Sequence, residues 1–191
     1  PTRRLDLLTR RVNTSMTLMP LILVVVTILF VPMIIKLIQL EQVSGRVLQP
    51  AFHLGTIVLF SAGWLLYQSK KAMMCDDLKR FRWQVLIALL LGMMFLMFQG
   101  AGWIKLNMFF SRADIDIVKV ISPVHGVHLL LGLISLTALF FRLCTFHSAA
   151  ELYIHFLSPK NKQCFKNLLL YLAYIGGLWV LLYCVLLLKA L

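Results

Sequence analysis

The feature that most constrains this chain is a series of five apolar stretches, each about as long as a helix that crosses a membrane. A hydrocarbon core about 30 Å thick needs roughly 20 apolar residues of α-helix. The five stretches are Met16–Ile35, Pro50–Tyr67, Val85–Trp103, Val120–Phe141 and Leu168–Leu188. With 61% hydrophobic residues among 191, the chain is too apolar for a soluble domain of this length. The sequence predicts an all-α polytopic membrane protein, with residues 1–15 as a basic cytoplasmic N-terminus and 16–191 as one five-helix transmembrane domain. No small-residue cleavage site follows the first stretch, so we expect it to stay as a span.

The basic residues lie in the loops between these stretches. A formal net charge of +12 would suggest a nucleic-acid partner in a soluble protein. Here 13 of the 19 Lys and Arg residues lie in 1–15, 68–82 and 142–167, and the other 6 lie on the opposite side. Because cytoplasmic loops are enriched in Lys and Arg, this predicts a cytoplasmic N-terminus and an external C-terminus. The charge therefore indicates topology, with anionic lipid headgroups as counter-ions and no nucleic-acid partner.

The fourth stretch has a dense group of polar and small residues in its first half. This group is His125, Gly126, His128 and Gly132. Residues three apart lie on one face of a helix, so the two imidazoles face the same way. Polar side chains inside a membrane span normally turn toward protein rather than lipid. We therefore expect this face to pack against other helices or a partner subunit.

The sequence contains no pattern that predicts a catalytic site. The seven acidic residues lie outside the apolar stretches, at Asp6, Glu41, Asp76, Asp77, Asp114, Asp116 and Glu151. A proton relay or an ion-coupled transporter usually needs a carboxylate deep in the membrane. A Gly-rich phosphate loop, a Ser/His/Asp arrangement and a CxxC pair are missing from the sequence as well. We expect the four cysteines to be free thiols.

Two groups of histidines could in principle bind a cofactor. His53, His125 and His128 lie near the same third of their helices, and two histidines from different helices can ligate a b-type haem. Hydrogen bonds to Gln99, to Ser122 or to lipid phosphate explain the same positions, and the sequence favours this second interpretation.

The other group follows the fourth stretch. His147, Glu151 and His155 are spaced i, i+4 and i+8, which suits a metal-binding face of a helix. Polar residues at every turn are equally typical of an amphipathic helix at the membrane surface. The sequence favours the amphipathic extension over a metal site.

Segment 122–128, SPVHGVH, followed by Gly132, resembles a signature of subunit III of the haem–copper cytochrome oxidases, T-G-x-H-G-x-H-x-x-x-G. Three other segments agree with that family in order. Leu91-Gly92 with Gln99 and Gly102-Trp103 is similar to the family's L-G-x-x-F-x-x-x-Q segment and the Trp after it. Thr56–Ser61 after Pro50 is similar to P…N-T-x-L-L-x-S, and 177–179 is similar to the closing D-G-x-W. The resemblance covers about residues 50–188.

The resemblance implies an accessory, non-redox subunit of a terminal oxidase in the aerobic respiratory chain, whose donor is cytochrome c or a quinol. Such a subunit docks beside catalytic subunit I, binds structural phospholipid in a cleft, and leaves haem and copper to its partner subunits. The five-helix form of the family is bacterial, which implies the cytoplasmic (inner) membrane and possible membership of a respiratory supercomplex. The matched motif residues, which we expect to contact lipid or a partner subunit, are Gln99, Trp103, His125, Gly126, His128, Gly132 and Trp179.

The chain also departs from the family pattern. Residues 16–35 contain no acid, whereas family members typically have a buried Glu in this helix, so we assign no protonation role to that span. Gly55, Pro123, Ala173 and Gly176 stand where the family has Asn, Gly, His and Asp. The chain therefore resembles a divergent member. Two alternatives are a small di-histidine b-type membrane cytochrome and a membrane scaffold or assembly protein of a respiratory complex.

Overall fold

A computed structural model describes residues 2–39, 50–109, 113–145 and 159–190 of the chain. These residues form five α-helices and, within those ranges, no strand. The helices are α1 Thr2–Gln39, α2 Pro50–Met74, α3 Leu78–Phe109, α4 Ala113–Thr145 and α5 Pro159–Ala190. Each contains a segment long and apolar enough to cross a membrane. The prediction of an all-α fold with five membrane-spanning helices is confirmed.

Each predicted apolar stretch lies inside one helix, and every helix continues beyond its stretch. The largest extension is in α1, which begins at Thr2 and so includes most of the basic segment 1–15. No Gly or Pro interrupts residues 2–19, so nothing in the local sequence ends the helix there. Pro20 and Pro32 in α1 and Pro123 in α4 lie inside continuous helices.

A short turn at residues 75–77 joins α2 to α3 and makes them antiparallel neighbours. Asp76 adopts a left-handed φ of 59°, a conformation that Asp tolerates better than most residues. The Asp77 amide donates to the Ala72 carbonyl at 3.0 Å, which closes the end of α2. The Asp77 carboxylate accepts from the Arg80 amide at 3.0 Å and so caps the start of α3.

The remaining helices pack around this pair. α4 packs against α3, α5 packs against α2 and α4, and α1 lies against α4 and α5. Thr27 in α1 and Tyr174 in α5 share a hydrogen bond between their hydroxyl groups. The bundle has two halves that differ in chemistry. We call the half where α2 and α4 begin and α3 and α5 end the polar half, and the half nearer the 75–77 turn the cleft half.

Candidate functional site

A chain of hydrogen bonds links α3 to α4 in the polar half. The Trp103 indole N–H donates to the Ser122 hydroxyl, and that hydroxyl donates to the Gln99 amide oxygen at 3.4 Å. Gln99 is fully buried and Ser122 nearly so. Side-chain hydrogen bonds across helices are one of the interactions that hold membrane bundles together. These three residues therefore fix the register between α3 and α4.

Trp179 ties α5 to the opposite side of the same layer. Its indole N–H donates to the Thr56 hydroxyl of α2 at 3.1 Å, and that hydroxyl donates to the Phe52 carbonyl at 2.8 Å. The Trp179 ring is 1% exposed and lies 5.8 Å from the Phe52 ring and 5.6 Å from the Phe95 ring, between centroids. α5 is thus anchored on α2 and α3 by one polar bond and two ring contacts.

His125 lies at the centre of this layer. Its ring centroid is 5.5 Å from that of Trp179, at an interplanar angle of 33°, and 6.2 Å from that of Phe30 in α1, edge to face. Phe30 also meets His128 edge to face at 5.6 Å. The side chain of α1 that faces the two histidines is therefore an apolar ring. His125 is 1% exposed, and among the described residues its two ring nitrogens have no hydrogen-bond partner.

The other two histidines in these spans have ordinary partners. His128 Nδ1 donates to the Val124 carbonyl at 2.8 Å, and the His128 carbonyl accepts from the Tyr171 hydroxyl at 2.9 Å. A hydrogen bond joins His53 Nδ1 to the Tyr183 hydroxyl. The His53 side chain therefore helps to join α2 to α5, while α4 is joined to α5 through the His128 backbone.

Two glycines permit the close approach of helices in the polar half. A Cβ atom at Gly126 would overlap the Trp103 ring, and one at Gly102 would overlap the Phe52 ring. Further along α4, a Cβ at Gly132 would lie 2.6 Å from Leu172 Cδ2. Glycine at these positions lets a neighbouring side chain lie directly on the helix backbone.

The cleft half contains an apolar cavity of about 600 Å³ between α2 and α5, with α3 and α4 as its floor. Residues that line it include Leu59, Leu66, Gly92, Leu133, Ala173 and Gly176. Two of these, Ala173 and Gly176, are positions where the sequence departs from the family pattern, which gives the cleft apolar walls. Trp64 and Tyr67 lie at its edge with ring centroids 6.3 Å apart, and the Lys71 ammonium lies 4.9 Å from the Tyr67 ring centroid.

The structure brings most of the motif residues together. Gln99, Trp103, His125 and Trp179 meet in the polar layer, and Gly126 lies against Trp103. The His128 carbonyl accepts a hydrogen bond from α5, and Gly132 lies against α5. Within this chain these residues contact each other; their role in contacting lipid or a partner subunit stays a prediction.

Sequence reasoning did not assign Phe30 or Tyr171 to the site, and it quoted Thr56 only as part of a motif. Nothing in the one-dimensional pattern separates Phe30 from the other aromatic residues of the spans. Its contact with two histidines depends on the way α1 packs on α4.

The structure describes only some of the cofactor candidates. His147, Glu151 and His155 lie in 146–158, outside the described residues. In the part of the chain that is described, no group of three or more His, Cys, Asp or Glu side chains could hold a metal ion. None of His53, His125 and His128 lines the apolar cleft.

Comparison with protein families gives a match over most of the chain. The family model described as cytochrome c oxidase subunit III matches residues 46–190. A comparison with curated proteins found no match. The matched region includes α2 to α5, and therefore the side chains of the polar layer except Phe30, and the whole cleft.

Proposed function

The chain belongs to the cytochrome c oxidase subunit III family, and from this premise we propose that it stabilises the catalytic subunit of its oxidase and holds phospholipid in the cleft. It is a multi-pass membrane protein and a subunit III of a haem–copper oxidase in the respiratory chain. Its family is non-redox and associates with other oxidase subunits. The observation that supports the proposal best is the division of one bundle into a tightly joined polar half and an open apolar cleft half.

The polar half suits a rigid accessory subunit. Its five helices are connected by hydrogen bonds and ring contacts through Phe30, Thr56, Gln99, Ser122 and Trp179. In a membrane, helices gain little from the hydrophobic effect, so such contacts decide whether a bundle keeps one shape. A subunit of fixed shape presents a constant surface to catalytic subunit I and so restrains it.

The cleft half suits a lipid acyl chain. Its walls are aliphatic and aromatic side chains, Ala and Gly, and they offer no buried polar group that an acyl chain would leave unsatisfied. Trp64 is 63% exposed and Tyr67 47% exposed, as suits aromatic residues at a membrane interface. Lys71 supplies a positive charge beside Tyr67, where a phosphate headgroup would lie. We therefore propose a phospholipid with its chain in the cleft and its headgroup near Lys71.

The remaining parts of the proposal concern location and assembly. The charge asymmetry supports a cytoplasmic N-terminus with the 75–77 turn on the cytoplasmic side, and the five-helix form supports a bacterial inner membrane. Haem and copper belong to the partner subunits, and the oxidase could join a larger respiratory supercomplex. Purification in mild detergent followed by mass spectrometry tests the assembly: a haem-bearing catalytic subunit should co-purify in constant ratio. Recovery of the chain alone, or only with partners that lack haem, would favour the scaffold alternative.

The lipid site is tested by filling the cleft. Gly63 lines it, and a Cβ there would meet nothing within 4 Å, so we expect Gly63→Phe to place a ring in the cleft and leave the helices in place. Gly100 has equally open surroundings but lies in α3 outside the cleft, so Gly100→Phe is the matched control. Lipid extraction from the purified oxidase should show fewer phospholipids per complex for Gly63→Phe only. Equal lipid content in both variants and the wild type would rule out the cleft as the site.

A further inference from the structure

We propose that His125 and Gln99 share a buried water-binding site at the centre of the polar half. The starting observation is a set of unpaired polar atoms. Both ring nitrogens of His125 and the amide nitrogen of Gln99 have no hydrogen-bond partner among the described residues. His125 is 1% exposed and Gln99 is 0% exposed. A buried polar group without a partner is costly, and native proteins rarely leave one so.

Gln99 and His125 are both neighbours of Ser122. Ser122 Oγ is 3.4 Å from Gln99 Oε1, and Ser122 lies one turn before His125 on the same face of α4. The Trp103 indole N–H already points at the Ser122 oxygen, so the Ser122 hydroxyl proton needs an acceptor. The Gln99 carbonyl oxygen is that acceptor, which turns the Gln99 amide nitrogen away from Ser122. The Gln99 N–H groups are thus left without an acceptor beside the His125 turn.

His125 has an unpaired hydrogen-bond acceptor, and Gln99 has unpaired donors. A neutral imidazole has one nitrogen that donates and one that accepts, while the Gln99 amide nitrogen only donates. They make no direct hydrogen bond. A water molecule satisfies both at once, because its oxygen accepts from Gln99 and its O–H donates to the accepting nitrogen of His125. Buried waters typically make about three such bonds to groups that would otherwise be unsatisfied.

The neighbouring side chains cannot meet this need themselves. The Trp179 ring stacks on His125, and its only N–H is used by Thr56. The Phe30 ring can receive one imidazole N–H on its face, a weak interaction, and that leaves the accepting nitrogen still unpaired. Because His125 is almost fully enclosed, a lipid or partner subunit does not reach it either. Within the part of the chain that the structure describes, the acceptor of His125 and the donor of Gln99 are therefore left for a molecule of water's size.

The two acids whose side chains the structure describes, Asp76 and Asp77, lie in the turn at the other end of the bundle. A water molecule in this position links Gln99 of α3 to His125 of α4, in the layer where Phe30 of α1 also packs. This inference does not depend on the partner of the subunit, since it concerns only the interior of the chain.

A double-mutant cycle in the intact oxidase tests the shared water. His125→Leu and Gln99→Met each remove one of the two side chains that bind the water. The remaining side chain and the water then lack a hydrogen-bond partner. Each single variant should therefore lower the temperature at which the subunit leaves the complex. In the double variant both polar groups are replaced by apolar ones, so its release temperature should fall no further than that of the worse single variant. A fall equal to the sum of the two single falls would overturn the proposal.

The control cycle pairs Gln99→Met with His128→Leu. The His128 ring donates to the Val124 carbonyl of its own helix and is not part of the proposed water site. The two decreases in release temperature should therefore add. If His125→Leu prevents assembly, a high-resolution electron microscopy map of the wild-type oxidase decides. It should show a water within about 2.7–3.2 Å of both Gln99 Nε2 and a His125 ring nitrogen. A direct side-chain bond to His125, or resolved density without a water there, would refute the site.

Discussion

The polar half and the cleft half of this bundle are built from the same helices, but the helices are in close contact in the polar half and two of them are separated in the cleft half. In the polar half, side chains from all five helices meet through hydrogen bonds and ring contacts around Trp179 and His125. In the cleft half, α2 and α5 separate around an apolar cavity. Beyond the cavity, near the turn, the Phe81 and Phe165 rings meet at 5.1 Å and Lys162 lies 4.0 Å from Asp76. The bundle is therefore joined at both ends of the cleft and open between them.

The glycines make the same comparison at single positions. Gly126 lies so close to Trp103 that a methyl group would overlap the ring, whereas Gly63 and Gly177 in the cleft face open space. One residue type thus allows close helix contact in one half and leaves room for a ligand in the other. Membrane helices associate by close packing, so Gly102 and Gly126 should matter far more for assembly than Gly63 and Gly177.

The largest expected effect on assembly comes from a substitution that disrupts the packing of the polar half. Gly126→Leu would push into Trp103, which its bond to Ser122 holds in place, so the layer has to open. We expect most of the subunit to be absent from the purified oxidase, measured by quantitative gel or mass spectrometry. Gly177→Leu is the control and should assemble normally, because a Cβ there meets nothing within 4 Å. Equal recovery of the two variants would break the comparison.

A smaller effect is expected at Gly132. A Cβ there would lie 2.6 Å from Leu172 Cδ2 and 3.2 Å from Tyr171 Cε1. The Leu172 methyl can rotate away, so Gly132→Leu should weaken assembly by about 1–3 kcal/mol, as overpacking typically does. Detergent titration of the complex measures this as earlier release of the subunit. Substitution of Val for the exposed Leu130 is the control, and an oxidase that kept the Gly132→Leu subunit as firmly as this control would contradict the packing role of that face.

The next effect concerns a single donor. Trp179→Phe keeps an aromatic ring between Phe52 and Phe95 but removes the N–H that binds Thr56. We expect a loss of about 1–3 kcal/mol from the missing bond and the smaller ring. The temperature of subunit release from the complex should fall. Trp64→Phe, at a ring 63% exposed beside the cleft, should leave that temperature unchanged, and a similar fall in both would show that the layer has no special role.

The last prediction perturbs the bundle least and concerns which half lies on which side of the membrane. A reporter fused in the 75–77 turn should give a cytoplasmic signal, and one fused after Leu191 an external signal, because the Lys and Arg residues are unevenly distributed. An external signal from the turn would reverse the topology and place the proposed headgroup site on the opposite surface. Neither outcome changes the packing inside the bundle.

The sequence was sufficient for the number and positions of the helices because membrane spans have a length and composition that local reading detects. It also identified Gln99, Trp103, His125 and Trp179 through a family resemblance. It did not predict that these four meet in one layer, since that depends on the rotation of each helix about its axis. Helix rotation is set by contacts such as Gly126 with Trp103, which have no signature in a single sequence.

The cleft could not be predicted for a related reason. Leu59, Leu133 and Ala173 are ordinary apolar residues of membrane helices, and their sequence positions do not reveal that α2 and α5 separate between them. Phe30 likewise becomes part of the site only through the packing of α1 on α4. What the sequence missed is therefore the arrangement between helices, where a cavity or a contact results from distant parts of the chain.

The central claim is that this chain stabilises its oxidase without taking part in electron transfer. The most direct measurement is the half-life of oxidase activity at a fixed temperature, for complexes purified with and without the chain and matched for haem content. We predict the same haem per catalytic subunit and the same initial rate, with a clearly shorter half-life when the chain is missing. Loss of haem together with the chain, or an unchanged half-life, would contradict the account.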